Sequence, residues 1–144
     1  MKNNAMIPNM EINNQQTTVD ISLDIESYVI TLCTHLGLQF DHLEITLLSK
    51  EAISKMNLEY FDLDTPTDTI SFNLTPEAAI TGDIYLCPDI ILANATTYLS
   101  DFNEELKIVL IHSMLHLMGY TDDTPENYSH MKNTQEKIYQ ELSQ

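Results

Sequence analysis

Residues 102–119 read FNEELKIVLIHSMLHLMG, and this stretch predicts the most apolar helix of the chain. The helix is predicted over residues 102–118 and ends at Gly119. Apolar residues occur on nearly every side of it, so we expect it to lie deep in the protein. Two histidines, His112 and His116, interrupt this surface four residues apart, which places both imidazoles on one side of the helix.

The rest of the chain carries shorter helix and strand patterns. The spacing of apolar residues predicts helices over residues 20–36, 50–60, 88–98 and 125–142, and strands over residues 42–49, 69–72 and 83–87. We expect Asp20 to cap the first helix and Ser49 to cap the second. Tyr60 is predicted to share one face of its helix with Ile53 and Met56, and Tyr128 is predicted to face inward. Residues 1–18 are rich in Asn, Gln and Thr, and we expect them to be loose apart from one short edge strand at most.

This order of elements predicts an α/β (α+β) fold in which a small mixed sheet of about four strands is backed by helices. A chain of 144 residues is long enough to bury one ordinary core. We therefore expect residues 1–144 to form a single domain, with a metal site at the end of the buried helix. The order of the strands does not follow from the pattern.

The charge balance is strongly acidic. The formal net charge is -16, from 22 acidic residues against six basic ones, and all six basic residues are lysines. This balance weighs against tight RNA binding by the chain alone, because RNA affinity rests largely on Lys and Arg contacts to phosphate. No apolar stretch is long enough for a membrane span, and we expect a cytoplasmic protein in which Cys33 and Cys87 are buried and reduced.

The two histidines suggest a metal clamp. After Gly119 the chain can fold back so that Asp122 supplies a third ligand, which leaves a fourth position of a zinc ion for water. In the alternative interpretation, both histidines are core residues that hydrogen bonds satisfy. Two unpaired polar rings on a buried helix would cost about 1 to 3 kcal/mol each, which favours the metal site.

The segment around the two histidines resembles that of a known family. The segment HSMLHLMGYTD is similar to the HGxLHLxGYDH signature of the YbeY endoribonucleases, which are zinc-dependent proteins of bacterial ribosome maturation. Upstream, NLEYFDLDTPTDTISF resembles the family's N-x-E-[WY]-R-x-x-D-x-P-T-D-V-L-S-F stretch, and TGDIYLC resembles its G-D-I-x-I-[CS] strand. Together these segments cover residues 57–122 in the order and spacing of the family.

The resemblance implies a single-strand-specific, zinc-dependent endoribonuclease that acts in maturation of the 16S ribosomal RNA 3′ end and in ribosome quality control. Its partners would be ribosomal RNA and ribosomal subunit proteins. One zinc ion per chain would be held by His112, His116 and the residue at position 122, and Ser71 and Phe72 would line the substrate cleft. The family usually has histidine as the third ligand, where this chain has Asp122. Asp123 and His130 remain alternatives for that ligand.

A second departure from the family concerns the cation beside the site. The arginine that the family often carries is Phe61 here, and Lys50 and Lys55 are either substitutes for it or ordinary solvated lysines. Asp68 and Asp83 are interpreted first as turn residues that bond their own backbone. The resemblance makes Asp68 a weak catalytic candidate that faces the cleft.

Two other functions compete with the nuclease. A zinc metalloprotease shares the HxxxH spacing, but it carries a glutamate general base where this chain has Ser113, which disfavours peptide hydrolysis. A non-catalytic, zinc-binding ribosome-assembly factor is compatible with both the acidic surface and the missing arginine. An acidic protein of that kind would reach RNA through a basic ribosomal partner.

Overall fold

The computed structural model describes residues 9–75 and 79–144, which form four strands and five helices. In chain order these are β1 (Asn9–Asn14), α1 (Ile25–Leu36), β2 (Phe40–Leu47), α2 (Lys50–Phe61), β3 (Thr69–Asn73), β4 (Ile80–Leu86), α3 (Pro88–Thr97), α4 (Phe102–Leu117) and α5 (Pro125–Leu142). The edge strand expected near the start of the chain is β1. The first eight residues of the segment expected to be loose lie outside the described residues.

The four strands form one mixed sheet in the order β1-β2-β4-β3. β1 pairs with β2, and β2 pairs with β4, in parallel, whereas β3 runs antiparallel to β4. The α+β class with about four strands and backing helices is therefore confirmed. β3 lies at an edge of the sheet, so its side chains can reach a neighbouring helix and a cleft beyond the sheet.

Alternate residues of each strand point to opposite faces of the sheet, and the two faces carry different layers. The larger core joins one face to α1, α4 and α5; its strand residues include Leu43, Ile45 and Ile84. On the other face, Ile53 of α2 packs with Ile70 of β3 in a smaller cluster. The described helices thus cover both faces of the sheet unequally.

The buried helix α4 approaches the sheet closely at Gly82. A Cβ atom added there would lie 2.8 Å from Cδ1 of Leu117, so the Leu117 side chain would have to shift to make room for it. Two hydrogen bonds from β3 hold the same helix: Thr69 Oγ1 lies 2.9 Å from Ser113 Oγ, and Asn73 Nδ2 donates to the carbonyl of Leu117 over 2.9 Å. These contacts fix the helical turns that carry the two histidines.

Several expected boundaries and orientations are wrong. Asp24, not Asp20, caps α1, because its carboxylate accepts from the amide of Ser27 over 3.1 Å. β2 begins at residue 40 and β4 at residue 80, ahead of the predicted starts. Tyr128 is 53% exposed, so its ring does not face inward as predicted. The ends of α2, α3 and α5 agree with the prediction to within one residue.

Both cysteines are buried and free, as expected. Burial raises the pKa of the Cys33 thiol to about 11 and also raises the pKa of Cys87. Thiolate is the reactive form of cysteine, so neither residue is suited to nucleophilic chemistry at neutral pH. Within residues 9–75 and 79–144, no helix has the length and apolar character needed to cross a membrane.

Candidate metal centre and cleft

The two histidines of α4 face each other at the surface of the helix. The Nε2 atoms of His112 and His116 are 3.1 Å apart, and both side chains are half-buried. Neighbouring residues of α4, such as Ile111 and Leu115, are completely buried. The histidines therefore lie where the helix leaves the core, which argues against the interpretation that they are core residues.

Hydrogen bonds at the far side of each ring determine which nitrogen carries the proton. Nδ1 of His116 lies 3.1 Å from the carbonyl oxygen of Tyr120, which can only accept, so this nitrogen is the donor. Nδ1 of His112 donates in the same way to Oε1 of Gln135 over 2.9 Å. Each Nε2 atom then carries a lone pair, and the two lone pairs point at the same space. A cation in that space would accept both.

Electrostatics keep His116 in the form that binds metal. Burial lowers the pKa of His116 below its ordinary value of 6.5, and the adjacent His112 ring lowers it further. The carboxylate of Asp122 and the backbone contact with Tyr120 oppose this change. The net effect favours a neutral imidazole at neutral pH, which is the protonation state of a metal ligand.

Asp122 completes a group of three possible ligands. Its Oδ2 lies 3.8 Å from Nε2 of His116, and the ligand atoms of His112, His116 and Asp122 all lie within 4.8 Å of one another. Zinc bonds of about 2.0–2.1 Å in a tetrahedral site space neighbouring ligand atoms by about 3.3 Å. The 3.1 Å between the two histidine nitrogens and the 3.8 Å from His116 to Asp122 lie on either side of that value. The donor set therefore fits zinc.

The alternatives for the third ligand lie outside this group. The carboxylate of Asp123 accepts 2.9 Å hydrogen bonds from Asn127 and Thr121, and these bonds lower its pKa. The ring of His130 stacks on that of Tyr120, with ring centroids 5.5 Å apart. Asp123 thus braces the start of α5, and His130 supports the residue whose carbonyl orients His116.

A second group with metal-ligating side chains lies elsewhere. Glu11, His42 and Glu44, on the first two strands, also place their ligand atoms within 4.8 Å of one another. They occupy the sheet face opposite Leu43 and Ile45, away from α4. None of its three residues lines the cavities beside α4, which makes it the weaker candidate for a catalytic centre.

Two cavities meet at the histidine group. The first, of about 460 Å³, lies between α4 and α5, and the second, of about 530 Å³, lies beside β3 and the end of α2. Asp68, His112 and Asp122 line both cavities, whereas His116 lines the second. The three possible ligands therefore lie at the junction of an open cleft, where a substrate could reach a bound ion.

The residues expected to line the cleft are divided by the alternation of β3. Ser71 lines the second cavity, and its Oγ is buried without a hydrogen-bond partner among the described residues. Phe72 points to the opposite face of the sheet, where its ring contacts those of Tyr60, Phe61 and Tyr85. The structure thus brings Ser71, but not Phe72, to the histidine group.

Acidic groups dominate the first cavity. Asp68, Glu105, Asp122 and Glu136 line it, and Lys132 is the basic residue among its lining side chains. Burial raises the pKa of Glu105, and the charge of Asp68 raises it further. Lys50 and Lys55 line neither of the two cavities. This surface attracts cations and opposes phosphate.

Asp83 lies within β4, opposite Phe72, rather than in the turn that was expected.

Sequence reasoning missed two groups of the site. Gln135 orients His112, and Lys132 lies in the first cavity. A signal for Gln135 was present, because it is four residues after the buried Met131 and three before the buried Ile138 on the apolar side of α5. A polar residue at such a position often meets a partner. No comparable signal identified Lys132.

Comparison with known proteins places these observations in a family. The family model described as "Endoribonuclease YbeY" matches residues 11–143. Curated relatives named Endoribonuclease YbeY include one from Protochlamydia amoebophila, 34% identical over 127 residues, which cover 85% of this chain and 84% of the relative. Another, from Chlorobaculum parvum, is 32% identical over 120 residues, which cover 83% of this chain and 84% of the relative.

Some alignments are shorter. The relative from Chlorobium luteolum is 42% identical over 88 residues, which cover 61% of this chain but only 64% of the relative, just under two thirds of its length. The solution structure of a Thermotoga maritima protein superimposes with a TM-score of 0.55 at 24% identity, over 94% of this chain and 91% of the other, and supports the fold. Because the family match spans nearly all of the described residues, the chain belongs to the YbeY endoribonuclease family.

Proposed function

We propose that this protein is a zinc-dependent endoribonuclease that cuts single-stranded RNA during maturation of the 16S ribosomal RNA 3′ end and in ribosome quality control. The observation that carries the proposal is the convergence of His112, His116 and Asp122 at the junction of two cavities. Membership of the family supports the reaction class. We further propose that residues 1–144 act as one domain, in the cytoplasm, on ribosomal particles.

Some side chains of the site would bind the metal, and others orient those ligands. Zinc held by His112, His116 and Asp122 would supply Lewis acidity and a nucleophilic water at neutral pH. Gln135 and the Tyr120 carbonyl hold the two imidazoles in the tautomer that leaves Nε2 free. A zinc ion with these three protein ligands would keep a fourth position for water, which is typical of catalytic rather than structural sites. This open position favours the enzyme over the non-catalytic assembly factor.

Two cleft residues are available to contact the substrate. Ser71 lines the second cavity, and its unpartnered hydroxyl, which is buried, would donate to a phosphate oxygen if the side chain turned toward the cavity. Asp68 lines both cavities, and we propose it as the residue that accepts a proton during hydrolysis. Ser113 stands at the position where a zinc metalloprotease has its glutamate. It is completely buried and hydrogen-bonded to Thr69, so it offers no general base for peptide hydrolysis.

The deciding experiment measures metal content and cleavage on the same preparation. Ribosomal RNA would be offered both free and with ribosomal proteins, and single-stranded and duplex oligoribonucleotides would be compared. Cleavage confined to single strands and dependent on zinc is the expected result. A protein that binds one zinc ion and cuts nothing in any of these settings would instead be the assembly factor.

The identity of the third ligand gives a direct prediction. We expect Asp122→Ala to lower zinc affinity by more than about 100-fold, since even loss of a residue that only orients a ligand costs about 10- to 100-fold. Asp122→His, which restores the family's usual ligand, should bind zinc at least as tightly as the wild type. Competition titration with a zinc chelator measures both effects.

Asp123→Ala and His130→Ala are the matched controls for this titration. Both residues adjoin the site, yet neither belongs to the group of three. We expect their affinities to remain within a few-fold of wild type. If either control lost zinc while Asp122→Ala retained it, the third ligand would be that residue instead.

Gln135 provides a prediction about orientation. Gln135→Leu removes the acceptor for Nδ1 of His112, and we expect zinc affinity to fall by about 10- to 100-fold. Gln135→Glu keeps an acceptor oxygen and should retain most of the affinity. Gln140→Leu, in the same helix and lining the same cavity, is the control and should bind zinc like wild type. Unchanged affinity in Gln135→Leu would show that the hydrogen bond does not orient the ligand.

A further inference from the structure

An exposed phenylalanine stands beside the candidate metal centre. Phe61, the last residue of α2, is 50% exposed and lines the second cavity together with His112, His116 and Asp122. Leu63, which is 55% exposed, lines the same cavity. Large apolar side chains left in solvent at the mouth of a cleft commonly mark a binding surface.

The ring of Phe61 packs against the ring of a second phenylalanine. It lies parallel to the ring of Phe72, with an interplanar angle of 5° and centroids 6.1 Å apart. The Phe72 ring is held edge-on by Tyr60, at 5.2 Å, and by Tyr85, at 6.3 Å. Phe72 also packs against the smaller core cluster. Phe61 is therefore the outermost member of an aromatic stack anchored to the sheet, and its orientation is set before any ligand arrives.

The surroundings of Phe61 favour a base over a phosphate. The chain has a net charge of -16, and Asp62 and Asp64 follow Phe61 directly. Both are exposed, so they repel a phosphodiester backbone. The face of a nucleobase is uncharged, and stacking on an aromatic ring is the usual way in which proteins hold unpaired bases.

We infer that Phe61 is a stacking platform for an unpaired nucleobase of the RNA, next to the group that binds metal. This inference rests on the proposed nuclease function and names the part of the substrate that the cleft recognises. In a duplex, both faces of each base are covered by neighbouring bases, so the platform accepts single strands only. Any base has a face that can stack, so the contact selects for strandedness rather than sequence.

The test uses a short single-stranded oligoribonucleotide that carries the fluorescent base 2-aminopurine, whose emission is quenched when it stacks on an aromatic ring. Each titration is carried out twice, once in the wild-type background and once in the His112→Ala background, in which cleavage cannot affect the measured binding. We expect wild type to quench the probe. Phe61→Leu should bind about tenfold more weakly and lose the quenching, whereas Phe61→Tyr should retain both.

Two comparisons separate stacking from a structural effect. An otherwise identical strand that lacks the base at that position should bind wild type and Phe61→Leu equally. The ratio between the two proteins should also be unchanged when salt is raised, since stacking neutralises no phosphate. Tyr60→Leu is the matched control, because Tyr60 is exposed and touches Phe72 but does not line the cavity. Circular dichroism establishes that each variant is folded.

The outcomes distinguish this inference from the nuclease proposal. Equal binding and equal quenching by wild type and Phe61→Leu would overturn the platform, as would quenching that depends on Tyr60 instead. Absence of quenching by wild type at millimolar protein would overturn it too, even if ribosomal particles were cut. Conversely, Phe61-dependent quenching by a protein that never cleaves RNA would support the platform and refute the nuclease.

Discussion

The double variant His112→Ala with His116→Ala is expected to contain no zinc, whereas purified wild type carries about one zinc ion per chain. The two Nε2 atoms, 3.1 Å apart, supply two of the three ligands, and a lone exposed carboxylate cannot hold the ion. A catalytic metal contributes several kcal/mol of transition-state stabilisation, so RNA cleavage should fall by roughly 1,000-fold or more. Elemental analysis and a cleavage assay on the same preparation measure the two losses.

The fold should survive this change. Alanine is the most favourable helix residue, and the two rings are only half-buried. The informative control is His42→Ala, which breaks the group formed by Glu11, His42 and Glu44 on the sheet. We expect that variant to keep its zinc and its activity. A double variant that retained full zinc, together with a His42→Ala protein that lost it, would move the metal to the sheet surface.

The helices could be predicted well because their signals are local. α4 is apolar on most sides, and α2 begins at its predicted cap, Ser49. The error at α1 is of the same local kind, since Asp20 and Asp24 are both suitable caps and only the hydrogen bond to Ser27 decides between them. Tyr128, which lines the first cavity, was misplaced because a tyrosine at helical spacing fits a core and a cleft equally well.

The site could be predicted in part. The proximity of His112 and His116 follows from their spacing of four residues on one helix, and Asp122 comes only six residues after His116. Ser71 and Phe72 could have been separated by the alternation of a strand, which sends neighbouring side chains to opposite faces. The contacts of Gln135 with His112 and of Thr69 with Ser113 span 23 and 44 residues, and no local pattern specifies which partners meet over such separations.

The acidic cleft also bears on the choice of substrate. A cavity lined by Asp68, Glu105, Asp122 and Glu136 raises the local concentration of cations, which assists metal capture. The same charges oppose a free polyanion. We therefore expect a protein with these two properties to cleave RNA best when another surface delivers the RNA to its cleft.

Cleavage of ribosomal RNA is expected to be poor when the RNA is free and faster by on the order of 100-fold when the same RNA lies within a purified ribosomal subunit. Six lysines, no arginine and a net charge of -16 cannot attract a polyanion effectively, and Phe61 stands where the family usually has an arginine. Binding to free RNA should be weak. With about two phosphates neutralised, the logarithm of the affinity should fall with the logarithm of salt at a slope of only about -1.4.

We expect a ribosomal subunit to change this balance, because basic proteins on it would complement the acidic surface of this chain. Such docking turns a rare encounter into a high local concentration of RNA at the cleft. The measurement compares initial cleavage rates on free ribosomal RNA and on purified subunits, for wild type and for His112→Ala as the inactive control. Adding the basic ribosomal proteins to the free RNA tests whether they suffice. Rapid, metal-dependent cleavage of free RNA would remove the need for a partner, while bound zinc with no cleavage in either setting would identify the protein as a non-catalytic assembly factor.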